Sequence, residues 1–526
     1  MQNKTLTTLA LAAALTLGAG CTDITMPPKS TVTAANIFNE PGAYKQFIAK
    51  LYAGLSVTGQ QGPAGAGDIQ GIDEGFSQYV RLLWQMQELP TEEAVIAWGD
   101  DGVQELNTQK WGSSNQFLGS MYYRVFFQVT LANEFLRETT DEKLTSRGVG
   151  EALRAEIHGY RAEARFLRAL SYWHGIDLFG DIPLVTEADA LGSTPPKQST
   201  RADVYRYVVS ELNAIKPELP APGAQEYGRA DQGAAAMLLA NVYLNAQVYV
   251  GENHYADARA AVESVIATGK YHLDPNYRHL FLADNHTSSE LIFTVPQDGL
   301  KQQSYGGTTF LMHAEIGGSM NASVYGVDGG WYGLRTRPEG YAMFPGGAGG
   351  PDKRGYFFYT DGQSLDINNL TNFNDGIGAP KYQNVTSTGA PASNAGNSDI
   401  DFPMFRLGEA YLIYAEAVLR GGGGSRAQAL AYVNELRARA YGNAGGNIAD
   451  PALTLDFLLA ERGRELFWEA HRRTDLIRYD RFTNQGLWQW KGGVKAGKVT
   501  ESFRNLYPLP ASELLANPNL KQNAGY

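Results

Sequence analysis

Apolar residues recur at helical spacing over several long stretches of the chain, and this pattern predicts a mainly α-helical protein. Residues 34–56, 116–137 and 153–178 each predict one amphipathic helix. In the last of these stretches alanines alternate with aromatic residues, and small residues opposite large ones allow close helix packing. A glycine-rich break at residues 59–67 separates the first helix from the chain that follows.

Two further stretches predict pairs of helices joined by short turns. The first pair spans residues 231–269, with arms at 234–250 and 255–268. The second pair has arms at 404–419 and 425–441, joined by a glycine turn at 421–424. Each pair is roughly 34–38 residues long, close to the period of tetratricopeptide repeats. Because long irregular stretches separate the pairs, we expect a scaffold of tetratricopeptide-like helix pairs and no continuous tandem array.

Residues 454–479 predict one more long helix, with a heavily charged face. We expect its charges to pair along the helix, Glu461 with Arg464 and Glu469 with Arg473. A helix held by ion pairs is typical of a structural element, although so many charges on one face also suggest a catalytic helix.

Residues 281–403 lack this periodicity. Residues 291–295 resemble a strand, and the rest is rich in glycine, asparagine, aspartate and aromatic side chains. Long loops inside a compact domain are often functional. This loop-rich insertion is therefore one place to look for a site.

The stretch 89–111 is a second such place, because it carries a tryptophan that periodicity does not require. Trp98 directly precedes a turn-forming cluster that contains Asp100 and Asp101. An indole at the edge of a turn, beside two carboxylates, offers the flat apolar face and the polar groups that a sugar ring needs. The alternative is that Trp98 covers the core beneath a loop.

Composition and charge narrow the class of protein. The 526 residues are 43% apolar and 19% charged, enough for a large core, and no low-complexity linker divides them. We expect a single domain over residues 34–526. The net charge of −11 argues against binding to nucleic acid or to an anionic lipid surface.

The chain begins with a segment typical of a secretory signal peptide, residues 1–20. Its apolar run, 6–17, is too short to span a bilayer and leads through small residues into Cys21, the only cysteine. This arrangement resembles the lipobox of bacterial lipoproteins, in which the cysteine is acylated, although Gly18 stands where leucine is commonest. No disulfide can form within the chain, and residues 21–33 would form a tether.

The sequence shows no established catalytic motif. It lacks the His-Glu-x-x-His, Gly-x-Ser-x-Gly and phosphate-loop patterns, and the glycine turn at 421–424 has no following lysine. Asp100 and Asp101 could belong to a glycosidase pair only with a partner carboxylate at a defined separation. Regularly spaced histidines and nearby aspartates fit unrelated surface residues better than a metal site; they are His272, His279, His286, Asp274 and Asp284. We expect no enzyme activity, no cofactor and no metal.

Five segments resemble the SusD/RagB family of outer-membrane lipoproteins. They include ERGRELFWEAHRRTDLIRYDRF at 461–482 and the chain end at 506–526, and the others are 161–183, 230–245 and 405–417. The resemblance implies a mostly helical scaffold with four tetratricopeptide-like units. It also implies a non-enzymatic, lipid-anchored outer-membrane protein that binds glycans and serves a SusC-type TonB-dependent transporter.

Residues 89–124 resemble the starch-binding founder of that family, notably in the pattern Glu-Ala-x-x-x-Trp-x-x-x-Gly that ends at Gly102. The resemblance implies an aromatic arc that cradles an α-glucan, with an arginine and an asparagine bonding sugar hydroxyls. An aspartate takes the place of the asparagine. The substrate-binding residues implied in this way are Trp98, Arg81, Asp100, Asp101, Tyr305 and Trp331.

The leading hypothesis is capture of starch or malto-oligosaccharide at the outer membrane and delivery to the transporter. The same role with another glycan or a peptide, an exported glycoside hydrolase and a scaffold without ligand are the alternatives. The arc requires residues 89–111 to lie beside residues 301–331 in the fold.

Overall fold

Helices make up most of the regular structure in the computed structural model, which describes residues 37–63, 65–189, 192 and 194–526. The prediction of a mainly α-helical fold is confirmed. The predicted signal peptide, the lipidation site Cys21, the tether and the first residues of the predicted first helix lie outside the described residues. The helices are α1 (Ala43–Ser56), α2 (Tyr79–Glu88), α3 (Val103–Thr108), α4 (Gln116–Glu138), α5 (Asp141–Ser146), α6 (Glu151–Phe179), α7 (Arg201–Ile215), α8 (Gln232–Leu244), α9 (Ala246–Val250), α10 (Tyr255–Ile266), α11 (Gly307–Ala314), α12 (Pro338–Ala342), α13 (Leu407–Leu419), α14 (Arg426–Tyr441), α15 (Leu455–Glu465), α16 (Arg472–Arg478) and α17 (Ala511–Ala516).

The described strands form three small antiparallel pairs, each joining segments that are apart in sequence. Strand β1 pairs with β5, β2 with β3, and β4 with β6. The strands are β1 (Val95–Ile96), β2 (Ile182–Pro183), β3 (Gln198–Ser199), β4 (Leu291–Val295), β5 (Leu334–Arg335) and β6 (Phe402–Arg406). The predicted strand at 291–295 is confirmed as β4.

The predicted helix pairs are present. Helix α8 packs against α10, α10 packs against α13, and α13 packs against α14, so the two pairs form one continuous stack. Two boundaries were wrong. The predicted arm 234–250 breaks at Asn245 between α8 and α9, and the predicted arm 404–419 begins with strand β6, so its helix starts only at Leu407.

The predicted single helix at 454–479 is also wrong. The chain forms α15 and α16, and between them Trp468 and Ala470 adopt left-handed backbone angles, with φ of 61° and 63°. The expected Glu461–Arg464 ion pair is present at 2.6 Å. The expected Glu469–Arg473 pair is absent, because Glu469 pairs with Arg406 and Arg473 with a carboxylate on α6.

Buried ion pairs fix this region against the helix stack. The guanidinium of Arg406 lies 2.8 Å from a carboxylate oxygen of Glu290, 2.7 Å from one of Glu465 and 2.6 Å from one of Glu469. All four side chains are at most 2% exposed. The charges of this segment therefore serve packing, in agreement with a structural role.

The lengths and apolar character of the described helices show whether any of them could cross a membrane. Within the described ranges, no helix combines the length and the apolar character that crossing a bilayer requires.

Candidate functional site

A short antiparallel ladder joins the two segments on which the predicted aromatic arc depends. Val95 lies opposite Arg335 and Ile96 opposite Leu334. The ladder continues one step further, because the backbone N–H of Ala97 donates to the carbonyl of Gly333 at 2.8 Å. Residues 89–111 therefore lie directly beside the loop that ends at residue 333.

This register places Trp98 against Trp331. The indole Nε1–H of Trp98 donates to the backbone carbonyl of Trp331 at 2.8 Å, and the two ring centroids are 6.3 Å apart with a tilt of 43°. Gly333 permits this contact, since a Cβ atom there would lie 2.8 Å from Cε2 of the indole. The Trp98 side chain is partly buried, and the hydrogen bond to the backbone carbonyl of Trp331 fixes its orientation.

Trp331 lies between Trp98 and Tyr305. Its ring stacks on His313 at 4.5 Å with an angle of 9°, and His313 Nδ1 lies 2.7 Å from the carbonyl of Gly329. Tyr305, which is 42% exposed, lies 6.2 Å from Trp331 at an angle of 70°. Trp98, Trp331 and Tyr305 therefore form a row of three rings, each turned relative to the next, which we call the aromatic arc.

Arg81 on α2 lies behind this arc. Its guanidinium carbon is 4.3 Å from the ring centroid of Phe310, 4.4 Å from that of Phe76 and 5.5 Å from that of Trp98. Nη1 donates to the carbonyl of Tyr305 at 3.1 Å. With 2% exposure, the side chain differs from the expected solvent-facing donor: it supports the rings from the protein side.

The charge of Arg81 survives this burial. Desolvation lowers the pKa of Arg81 to about 9, while the carboxylates of Asp100, Asp73 and Glu74 act in the opposite direction. The guanidinium is thus cationic at neutral pH and strengthens its contact with the ring faces. Among the described residues, its Nε and Nη2 have no hydrogen-bond partner.

Asp100 and Asp101 follow Trp98 at the rim. Asp100 is partly buried and Asp101 is exposed. Their backbone carbonyls accept hydrogen bonds from the N–H of Val103 at 3.1 Å and from Nε2 of Gln116 at 2.7 Å. Their carboxylates make no hydrogen bond within the described part of the chain, so the oxygens are available to accept hydrogen bonds from hydroxyl groups.

Two residues near the arc were not predicted. Tyr332 is 53% exposed and has a left-handed backbone with φ of 54°, and its ring lies 5.6 Å from that of Phe373. The second residue is Glu74, and burial raises the pKa of its carboxyl group to about 7. The neighbouring pair Trp331-Tyr332 was a usable signal for the first residue, whereas nothing in the sequence distinguishes Glu74 from other glutamates.

The histidines considered for a metal site do not meet. His279 Nδ1 lies 2.7 Å from Asp274 Oδ2, and this hydrogen bond raises the pKa of His279. In the described part of the chain, no group of three or more histidine, cysteine, aspartate or glutamate side chains could hold a metal ion.

Sequence comparison places the chain among known relatives. The model of the SusD family matches residues 293–526, and a second model, described as starch-binding and associating with the outer membrane, matches residues 85–244. Starch-binding protein SusD from Bacteroides thetaiotaomicron is 34% identical, with 99% of each chain covered. SusD-like protein P2 from Formosa agariphila is 26% identical over 81% of this chain and 85% of the relative.

Solved structures agree on the fold. Surface glycan-binding protein A from Bacteroides uniformis matches with a TM-score of 0.71 at 22% identity, covering 92% of this chain and 100% of the other. The Bacteroides thetaiotaomicron protein of that name, in complex with laminarihexaose, matches with a TM-score of 0.69 at 20% identity, covering 91% and 98%. Identity to the starch-binding relative extends over nearly the whole of both chains, and the chain belongs to the SusD family.

Proposed function

We propose that this protein binds starch and malto-oligosaccharides at the surface of the outer membrane and delivers them to a SusC-type TonB-dependent transporter, without cleaving them. The observation that carries the proposal is the aromatic arc of Trp98, Trp331 and Tyr305. Starch is chosen as the ligand because a relative that is 34% identical over 99% of this chain is named as starch-binding.

Ring stacking supplies most of the affinity. The C–H faces of glucose pack on aromatic rings, and each stack contributes roughly 1–3 kcal/mol by analogy with base stacking. The three rings of the arc are turned by 43° and 70° against their neighbours. A row that bends in this way suits the curved chain of an α-1,4-glucan better than a flat ribbon.

Polar groups set the direction of the bound chain. Asp100 and Asp101 accept hydrogen bonds from sugar hydroxyls at the rim, with a modest net gain for each bond at an open site. Arg81 acts through the rings, since it holds the backbone of Tyr305 and the face of Trp98 in place.

The proposed attachment to the membrane uses Cys21. Acylation of Cys21 would anchor the protein, and the following residues would give the binding domain reach. The family model described as associating with the outer membrane supports this location. Binding in the micromolar to millimolar range, about −4 to −8 kcal/mol, fits a protein that passes its ligand onward.

Affinity electrophoresis tests the ligand. The native protein should be retarded in gels that contain amylopectin, and less in gels that contain pullulan, dextran or xylan. Trp98→Ala should abolish retardation, because it removes one wall of the arc. Trp490→Ala is a matched control: Trp490 is also partly buried, and its indole N–H also donates to a backbone carbonyl, at 2.9 Å. Unretarded migration of the native protein in amylopectin would contradict the proposal.

A second candidate is the same role with a different glycan. It is favoured by the fold match to a protein solved with laminarihexaose. Preferential retardation in a gel that contains laminarin would support this candidate over starch. Release of reducing sugar from maltoheptaose by the purified protein would contradict the absence of catalysis.

A further inference from the structure

A cleft of about 340 Å³ lies beside helix α1, apart from the arc. One wall is a single face of α1, where Ala49 and Ala53 leave space for a ligand, and Lys45 stands at the rim. The facing wall includes Tyr227 and Gln302. The cleft is large enough to take a sugar ring, and small side chains on the helix keep its floor open.

Tyr227 gives this cleft an aromatic wall with a fixed orientation. The residue is 51% exposed, although its hydroxyl donates to Asp401 Oδ2 at 2.5 Å. The edge of the ring also meets His286, with centroids 6.3 Å apart at 73°. Because one end of the ring is held by a hydrogen bond, ligand binding costs little side-chain conformational entropy. Trp98 in the arc is likewise a partly exposed ring held by a hydrogen bond.

Polar groups line the same cleft. In the described part of the chain, the buried Oε1 atom of Gln302 has no hydrogen-bond partner. Lys45 and Glu226 pair across the rim at 3.1 Å, with 59% of each side chain exposed. Exposed ion pairs of this kind contribute little free energy to stability. A ligand hydroxyl can therefore replace the Lys45–Glu226 contact with hydrogen bonds of its own at little cost.

The segments that line the cleft and the arc are linked by hydrogen bonds and are adjacent in sequence. The amide of Gln78 donates to the carbonyl of Leu55 near the end of α1 at 2.7 Å, and its oxygen accepts from the N–H of Gly307 at 2.9 Å. Gln302 of the cleft and Tyr305 of the arc are three residues apart, which limits their Cα separation to about 11 Å. A glucan chain that leaves the arc past Tyr305 thus meets the cleft within a few sugar units.

We propose that this cleft is a second subsite, which binds a further sugar residue of the same glucan chain that the arc holds. The proposal rests on the proposed function. Its consequence is a dependence on chain length, because the second contact is intramolecular once the first is made. Short oligosaccharides occupy the arc alone, whereas long chains gain from both places.

Titration calorimetry with maltotetraose and with a long amylose fraction tests the subsite. Tyr227→Ala should weaken binding of the long chain about tenfold, in line with the loss of one ring stack, and leave maltotetraose unchanged. Tyr227→Phe keeps the ring and loses only its anchoring hydroxyl, so it should bind the long chain clearly more tightly than Tyr227→Ala and should bind maltotetraose as the native protein does. Ala49→Phe fills the cleft from the helix surface, removes no contact and should reproduce the effect of Tyr227→Ala.

The outcomes separate the two proposals. Native affinity of both Tyr227→Ala and Ala49→Phe for long amylose overturns the subsite, as does an equal loss for both chain lengths. If Tyr227→Phe is as weak as Tyr227→Ala, the effect comes from Asp401 and the subsite is also overturned. Trp98→Ala should lose both ligands; native binding of both by this variant overturns the proposed function itself.

Discussion

The indole of Trp98 is held on several sides at once. Its N–H is fixed by the carbonyl of Trp331, its face meets the guanidinium of Arg81, and the ring of Phe310 contacts it at 5.7 Å and 65°. The sequence offered two interpretations for this residue, a core cover or a ligand-facing ring. The structure combines them, because the side chain packs on the core and remains partly exposed.

Replacement of Arg81 separates support of the rings from direct contact with a ligand. Arg81→Met keeps the length of the side chain and removes its charge and its hydrogen bonds to the carbonyls of Gly75 and Tyr305. One buried and one partly buried acceptor then lose their donor, and we expect the free energy of unfolding to fall by about 1–3 kcal/mol. Urea denaturation measures this loss, and amylopectin gels should show weakened binding in parallel.

Arg81→Lys is the control for charge alone. Both hydrogen bonds come from Nη1 of Arg81, and the shorter lysine keeps a cation near the ring faces but does not reach the position of that nitrogen. Its loss of stability should therefore be smaller than that of Arg81→Met, which also loses the charge. Weakened glucan binding with native stability in Arg81→Met would contradict the supporting role. It would favour the direct hydrogen bond to sugar that the family resemblance implied.

At the scale of elements, the arc depends on a ladder of only two residue pairs. Asn107 on α3 completes the outer edge of β1: its Oδ1 accepts from the N–H of Ile96 at 3.1 Å, and its Nδ2 donates to the carbonyl of Ile96 at 2.8 Å. Gln104 donates to the carbonyl of Trp98 at 2.6 Å. Side chains thus replace a third strand. Periodicity cannot predict such an arrangement, because the bonds depend on the turn between the two elements.

Asn107→Ala should therefore loosen the arc. The fully buried amide carries two backbone hydrogen bonds, and its loss should lower the free energy of unfolding by about 2 kcal/mol and weaken amylopectin binding. Thr108→Ala, on the same short helix, removes a partly buried hydroxyl bond to the carbonyl of Gln104 and should cost less than about 1 kcal/mol. Equal effects of the two changes in thermal unfolding would contradict this role of Asn107.

The break between α15 and α16 has a similar tertiary cause. The backbone N–H groups of Trp468 and His471 donate to the carboxyl groups of Glu93 at 3.0 Å and Glu88 at 3.1 Å. The helical pattern at 454–479 is local, and it predicted one helix. Bonds to a segment nearly four hundred residues earlier in the chain bend the backbone instead.

This buried pair makes stability depend on pH. Burial raises the pKa of Glu88 to about 8 and that of Glu93 well above its ordinary value, and each carboxyl group has one oxygen without a hydrogen-bond partner in the described structure. The unfolded chain releases these protons near pH 4.5, whereas the folded protein retains them. The contribution of this pair to stability is therefore greatest below that pH and is lost as the pH rises towards about 8.

Glu93→Gln should flatten this dependence. The variant keeps an acceptor for the N–H of Trp468 and has no carboxyl group to titrate at position 93. The nearby charged residues Glu92 and Arg472 are unchanged in this variant. In the native protein, Nε of Arg472 lies 3.4 Å from Oε1 of Glu93. In thermal unfolding from acid to alkaline pH, the variant should lose less stability than the native protein and exceed it at alkaline pH. Parallel pH profiles for the two proteins would contradict a raised pKa of Glu93 in the folded protein.

At the scale of the whole molecule, the sequence predicted features that depend on interactions between residues close in sequence. It did not predict features that depend on contacts between distant segments. The periodicity of residues 116–137 and 153–178 predicted α4 and α6 almost to the residue, because helix formation is set within a few turns. Trp98 and the two aspartates stood out in the sequence itself, whereas Arg81, Tyr305 and Trp331 came from family resemblance. Only the fold brought Trp98, Trp331 and Tyr305 together. The cleft at Tyr227 had no sequence signal, because its walls come from a helix face and two distant loops.

The charge of the whole molecule yields the last prediction. The chain carries a net charge of −11, and the rim of the arc adds Asp100 and Asp101 next to uncharged rings. Stacking and hydroxyl bonds to a neutral glucan do not depend on ion screening, so the Kd for maltoheptaose should change less than about twofold between about 0.05 and 0.5 M NaCl. Anionic polysaccharides should not bind at low salt, because both rim carboxylates repel them. A Kd for maltoheptaose that rises steeply with salt would contradict binding through ring stacking and hydroxyl hydrogen bonds. A parallel titration with a lysine-rich peptide tests the peptide alternative, because attraction to the rim carboxylates would make that peptide bind tightly at low salt and weakly at high salt.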